Sequence, residues 1–208
     1  MRKILLLVVA SVAFWSAKAQ VSFKIKGGAN LNGMAEKPFD LPDAKERSAF
    51  SGKKMTNIGF HAGAAANIKV AGRFGFQPEL VLFQRGIYQD KIRVNVNYLD
   101  LPLLADVSLH KKINVQFGPV LSYVLWARGY SYVKGKRADV TDGIEPFNVG
   151  VTGGLVFDVT EKIAVYAHYY NSFLYTWDVS YRDENNLPRG GVEFYNRNIS
   201  LGVAYQLN

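Results

Sequence analysis

Nine ionisable residues draw attention by where they fall: Lys24, Lys26, His61, Glu79, Arg85, Asp100, Asp106, Arg128 and His168. Each lies on the polar parity of a segment whose other parity is apolar, so strands would gather all nine on one enclosed face. Neighbouring carboxylates are what general acid and base chemistry requires. Here the nearby cations point instead to ion pairing, with Glu79, Arg85, Asp100 and Asp106 expected at the centre of a polar network. His168 and Ser172 come nearest to a hydrolytic pair, yet four residues along a strand is about 13 Å, beyond hydrogen-bond reach. His61 and His168 could meet as metal ligands, but two histidines without a third ligand more often satisfy interior hydrogen bonds. No phosphate loop, zinc spacing or nucleotide fingerprint is present. The residues therefore predict a structural or gating network, with no catalytic residue, metal or cofactor.

The elements that must position this network are long alternating runs. Residues 94–128 contain two of them joined by His110, Lys111 and Lys112. In the first, Leu99, Leu101, Leu103, Ala105, Val107 and Leu109 alternate with Tyr98, Asp100, Asp106 and Ser108; in the second, Ile113, Val115, Phe117, Leu121, Tyr123 and Leu125 alternate with Asn114, Gln116, Gly118 and Ser122. This is a hairpin whose strands exceed the usual five or six residues and reach the roughly 9–11 needed to cross a bilayer. Further runs begin near residues 21, 57, 74, 147, 163 and 199, for eight strands in all. The seventh is expected to continue from Ile163 to about Val179. Pro78 and Pro119 interrupt two strands and suggest bulges. Short turns at 69–72, 110–112 and 160–162 alternate with longer connections, among them polar loops at 33–56, 129–146 and 180–193. An even strand number with that rhythm predicts an eight-stranded antiparallel up-and-down transmembrane β-barrel, its short turns and termini periplasmic and its long loops extracellular.

The polar face carries Gly28, Gly59, Gly63, Gly75, Gly118, Gly150, Gly154 and Gly202, where a water-facing strand would favour Thr, Lys and Glu. Small residues suit a narrow lumen packed by its longer side chains. On the apolar face, Phe23, Phe74, Phe76, Phe157 and Tyr205 fall toward the short-turn end. Phe60, Tyr123, Phe147, Tyr175 and Trp177 fall toward the other, as two aromatic girdles would. A soluble barrel with an apolar interior is the competing arrangement.

The first residues, MRKILLLVVASVAFWSAKAQ, combine two cations, an apolar run and Ala17-Lys18-Ala19, the pattern of a secretory signal cut before Gln20. The expected organisation is a signal peptide over 1–19 and a single barrel domain over 20–208. Without cysteine there is no disulfide framework or thiol chemistry. Removing Arg2, Lys3 and Lys18 lowers the formal charge from +8 to +5. Acidic residues are mixed among the basic ones without a Lys/Arg tract, which argues against nucleic acid as a partner.

Three segments carry a family resemblance. KGGANLNGM at 26–34, GFQPELVLFQRG at 75–86 and NYLDLPLL at 97–104 resemble the PorT-like small outer-membrane β-barrels of Gram-negative bacteria. That family's Gln-Pro-Glu-Leu element matches Gln77 to Leu80, and its Tyr-Leu-acid-x-Pro-Leu element matches Tyr98 to Leu103, so its acids correspond to Glu79 and Asp100. The resemblance implies outer-membrane residence and an eight-stranded barrel, and its namesake is linked to protein secretion. Such barrels usually end on an aromatic residue; this chain ends Tyr205-Gln206-Leu207-Asn208.

The expected function is that of a non-enzymatic outer-membrane barrel. Its partners are membrane lipid, the insertion machinery and a protein or surface ligand at loops 33–56, 129–146 and 180–193, serving adhesion, envelope integrity or secretion. A narrow porin-like channel for small polar solutes is the alternative, and a lipid or peptide hydrolase is less favoured.

Overall fold

A computed structural model describes residues 21–39, 56–89, 92–182 and 188–208. The expected signal peptide and much of the 33–56 loop lie outside the described residues. Ten strands follow in order: β1 (Val21–Phe39), β2 (Thr56–Ala71), β3 (Phe74–Gln89), β4 (Ile92–His110), β5 (Ile113–Ser131), β6 (Lys136–Asp139), β7 (Phe147–Asp158), β8 (Ile163–Ser172), β9 (Trp177–Arg182) and β10 (Pro188–Gln206). A 3-10 turn at Thr141–Gly143 separates β6 from β7. No helix among the described residues is long and apolar enough to cross a membrane.

Eight strands close a ring. Antiparallel pairing runs β1-β2-β3-β4-β5-β7-β8-β10, and β10 pairs back onto β1 from Lys24↔Gln206 to Phe39↔Gly191. Closure satisfies the backbone of every ring strand against a neighbour, which is the condition for strands to cross hydrocarbon. The turns between β2 and β3, β4 and β5, and β7 and β8 lie at the end that also holds both barrel termini. Gly72, with φ of 53°, supplies the left-handed residue of the first turn.

The alternation read from the sequence is the alternation of exposure. Phe23, Phe60, Phe74, Leu82, Phe117, Tyr123, Leu155 and Leu201 are exposed on the outer wall, while Asn30, His61, Glu79, Asp100, Gln116, Thr152, His168 and Ser200 are buried inside. Apolar outside and polar inside is the membrane-barrel arrangement. The inward glycines make room for large neighbours. A Cβ on Gly154 would lie 2.5 Å from the His168 ring, and one on Gly202 would lie 2.4 Å from the Tyr166 hydroxyl.

The structure changes several strand limits. Neither proline shifts its register: Pro78 pairs with Leu103 and Pro119 with Val151, and the pairs missing beside them, at 79–80 in β3–β4 and at 118–119 in β4–β5, leave the register on either side unchanged. The register shift in the upper β4–β5 ladder falls opposite Asn97–Tyr98, where Asn97 pairs with Trp126 and Tyr98 with Val124. The 129–146 segment is not all loop, because β5 continues to Ser131 and β6 folds back onto it. The run expected as the seventh strand, from Ile163, is β8 and stops at Ser172 rather than Val179. Residues 173–176 leave the ladder, the Thr176 N–H donates to the Phe194 carbonyl at 2.7 Å, and β9 then pairs with β10 from Trp177↔Phe194 onward. Most of 180–193 is therefore strand. The break also resets parity, so Trp177 packs on Phe194 at 5.4 Å between ring centroids instead of joining the outer girdle.

At the long-loop end the lumen is covered by apolar side chains. Ile87, Val192 and Phe194 are buried together, with Met34, Val94 and Trp177 packed against them. Beside them Val96, Tyr98, Val124 and Ala127 form a second cluster. These residues come from both rim extensions and ring strands, so the lid and the barrel wall are one packed unit.

Candidate functional site

The lumen beneath that lid is built around two ion pairs. Arg85 of β3 grips Asp100 of β4 with both guanidinium arms, Nη1 donating to Oδ1 at 3.1 Å and Nη2 donating to Oδ2. Both side chains are 2 % exposed. The guanidinium also lies over three rings, 4.4 Å from the Tyr170 centroid, 4.5 Å from Phe83 and 4.7 Å from Tyr98. Such a buried arginine keeps its charge because carboxylate and ring faces replace the lost water. The result is a collar across the barrel.

Lys26 of β1 reaches over the lumen to the second acid. Its Nζ donates to Glu79 Oε2 at 2.7 Å and Oε1 at 2.9 Å, and sits 4.3 Å from the Tyr166 ring centroid. From Glu79 a hydrogen-bonded string descends toward the short turns. Gln77 Nε2 donates to Glu79 Oε1 at 2.7 Å, Asn67 Nδ2 donates to Gln77 Oε1 at 3.0 Å, and Asn67 Nδ2 also donates to Asp106 Oδ2 at 2.6 Å. The expected network centred on Glu79, Arg85, Asp100 and Asp106 is thus divided: Arg85 takes Asp100, Lys26 takes Glu79, and Asp106 is held by an amide. The division follows from height in the barrel, since Asp106 lies six residues nearer the turn than Asp100 along β4.

The two histidines do not form a metal pair. His61 is bonded through Nδ1 to Asn30 Oδ1 at 2.8 Å and through Nε2 to the Tyr166 hydroxyl at 2.6 Å, so both ring nitrogens are engaged. Tyr166 separates it from His168, its ring 5.8 Å from His61 and 5.2 Å from His168. His168 and Ser172 both point inward from β8, but no hydrogen bond joins them and each is buried without a polar partner at Nε2 or Oγ. That arrangement supplies no nucleophile and base in contact.

Two further residues fall away from the network. Lys24 faces the short-turn mouth rather than the ion pairs. Arg128 is exposed, which corrects its placement in the lumen. The bulge at Leu125 and Trp126 shifts parity by one, so buried Ala127 takes the inward position and Arg128 turns out beside Asp139. No sequence alternation could show this, because the shift is a property of the pairing with β4.

Between the ion pairs lies a cavity of ≈ 40 Å³, lined in part by Lys26, Glu79, Arg85, His168 and Asn198. Arg85 Nε, His168 Nε2 and the Asn198 amide are buried there without a protein partner. At about 10–15 Å³ per water the space suits a few waters bridging these groups. The aromatic members of the collar, Phe83, Tyr98 and Tyr170, were not among the candidate residues. Tyr98 and Tyr170 share parity with Asp100 and His168, the one signal available, while contact with Arg85 depends on strand stagger.

The comparisons agree with this geometry. No curated protein matches the chain. Among solved structures, Ail, the attachment invasion locus protein of Yersinia pestis, aligns at 13 % identity and a TM-score of 0.51, over 90 % of this chain and 99 % of that one. It is also known in complex with the heparin analogue sucrose octasulfate. Neisserial surface protein A aligns at 14 % identity and a TM-score of 0.52, over 89 % of this chain and 98 % of that one. At such identities the likeness shows the fold, that of small outer-membrane barrels. The outer membrane protein beta-barrel domain matches residues 15–174, well over half of the chain. A closed ring with lipid-facing aromatics, a packed polar lumen and that match together establish that the chain belongs to the outer membrane protein beta-barrel domain family.

Proposed function

We propose that this protein is a non-enzymatic attachment barrel, holding an ordered rim above the outer membrane to engage an anionic surface glycan. The observation that carries the reading is the β5–β6 hairpin. Its tip and second strand present Tyr132 and Val133, 50 % and 72 % exposed, beside exposed Lys134, Lys136 and Arg137. Tyr130 and Tyr132 meet edge to face at 4.6 Å, Tyr88 meets Tyr132 at 5.8 Å, and Arg137 lies 5.8 Å from the Tyr130 ring. Aromatic faces stack on sugar rings and cations pair with sulfate or phosphate, so the hairpin suits a charged glycan. Its base is held in place: the Ala127 N–H donates to Thr141 Oγ1 at 2.9 Å, and Thr141 Oγ1 donates to Asp139 Oδ1 at 2.6 Å.

The lumen supports the same reading, since the apolar lid and the Arg85 collar fill the space a solute would cross. The resemblance to PorT-like barrels supports an accessory role in secretion as a second use of the same rim. Residues 1–19 act as a cleaved signal and 20–208 as the barrel domain, delivered to the insertion machinery. The test is binding of the folded protein in zwitterionic micelles to sucrose octasulfate, the probe suggested by Ail. The K134A/K136A/R137A variant should bind at least tenfold more weakly. Equal binding by that variant, or none by the wild type, would overturn the glycan reading.

A further inference from the structure

The opposite mouth of the barrel is chemically distinct from the rim. Beneath the hydrogen-bonded string the lumen opens into a vestibule of ≈ 870 Å³ at the short-turn end, within the size range of ligand sites. Five cations line it, Lys24 from β1, Lys69 and Arg73 at the first turn, and Lys111 and Lys112 at the second. Among the described residues none of the five has an ion-pair partner, since the ion pairs there are Lys26–Glu79 and Arg85–Asp100. Three carboxylates also line it, so the cations are in excess by two: Asp106 accepts from the Asn67 amide at 2.6 Å, Asp158 accepts from the Asn114 amide at 3.0 Å, and Glu161 stands at the third turn.

This is the reverse of the mid-lumen, where each cation has its acid. We propose that the vestibule is a periplasm-facing binding site for a small soluble polyanion bearing carboxylates or phosphates. Cations from β1 and from two turns converge on one concave volume with a packed roof, so a multivalent anion is met from several sides. Low-dielectric walls focus the potential of such a cluster inside the mouth. A monovalent anion gains little from that arrangement; a compact trivalent one engages both turns at once.

The experiment uses full-length mature protein in phosphatidylcholine nanodiscs, titrated calorimetrically with citrate and, separately, with inorganic tripolyphosphate. Saturable one-to-one binding of either probe is expected, and the two arms assign the carboxylate or the phosphate chemistry. K69A/R73A and K111A/K112A should each weaken binding tenfold or more, while K134A/K136A/R137A on the opposite rim should leave it unchanged. These substitutions lie at exposed positions in or beside the turns, and heat-shifted gel mobility checks that each variant is folded. Failure of glycan binding at the rim would leave this result untouched. Non-saturable heats, binding as tight as wild type in either turn variant, or a response only when phosphatidylglycerol replaces phosphatidylcholine would overturn the proposal, the last by assigning the cations to lipid headgroups.

Discussion

Arg85 and Asp100, fifteen residues apart on adjacent strands, form a two-pronged ion pair in the middle of the barrel with three aromatic rings around the guanidinium. Neither side chain reaches solvent. Each therefore depends on the other for the interactions that water would have supplied.

Removing one partner should cost far more than removing both. Asp100→Ala is expected to destabilise the folded barrel by about 3–5 kcal/mol, because a buried cation is left uncompensated. The R85M/D100L variant should recover most of that loss. Urea unfolding from lipid vesicles measures both, and additive losses in the double variant would mean that the pair is not coupled.

The collar and the lid should also keep the lumen closed. In planar bilayers the wild type is expected to show no discrete conductance steps. Replacing Arg85 and Tyr170 together with alanine removes two of the largest collar side chains and should create steps, with Trp177→Ala and Phe194→Ala needed for full opening. Steps in the wild type at the same frequency would favour the channel reading.

The inward glycines should tolerate almost nothing larger. At Gly154 a Cβ would come within 1.9 Å of the Ala167 carbonyl as well as 2.5 Å of His168. Gly154→Val is expected to cost more than the 1–3 kcal/mol typical of overpacking, since backbone must move. The assay is the fraction of protein that resists SDS until boiled, which should fall sharply. A Val substitution at Gly143, where nothing lies within 4 Å of the added Cβ, is the control.

The two tryptophans of the barrel should report opposite environments. Trp126 is 44 % exposed on the outer wall, while Trp177 packs inside the rim against Phe194. Brominated lipids should quench W177F, which retains Trp126, and spare W126F, which retains Trp177. Equal quenching would restore the uninterrupted seventh strand.

Asp139 gives a pH-dependent anchor outside the membrane. Hydrogen bonds from the Thr141 hydroxyl and backbone N–H hold its carboxylate below the usual range. A lowered value means that the contribution is present above the ordinary aspartate pKa of about 3.9 and is lost as the pH falls through the folded value. The Thr141 amide resonance should move over that acid range and be flat from pH 5 to 8. Asp139→Asn should abolish the movement.

The wall of this protein is written in its alternation. A period of two fixes which side chains share a face, so apolar residues facing out, the polar and glycine-rich lumen and the rhythm of short turns were legible from residue types alone. It also placed eight of the nine candidate ionisable residues on the inward side. What it could not supply was partnership across the ring. That Arg85 meets Asp100 while Lys26 reaches Glu79 depends on strand stagger, which alternation does not encode. The bulge that turns Arg128 outward and the break that carries Trp177 inside the rim arise from pairing with β4 and β10. In each case one residue's offset reverses a face, and only closure of the barrel decides where that offset falls.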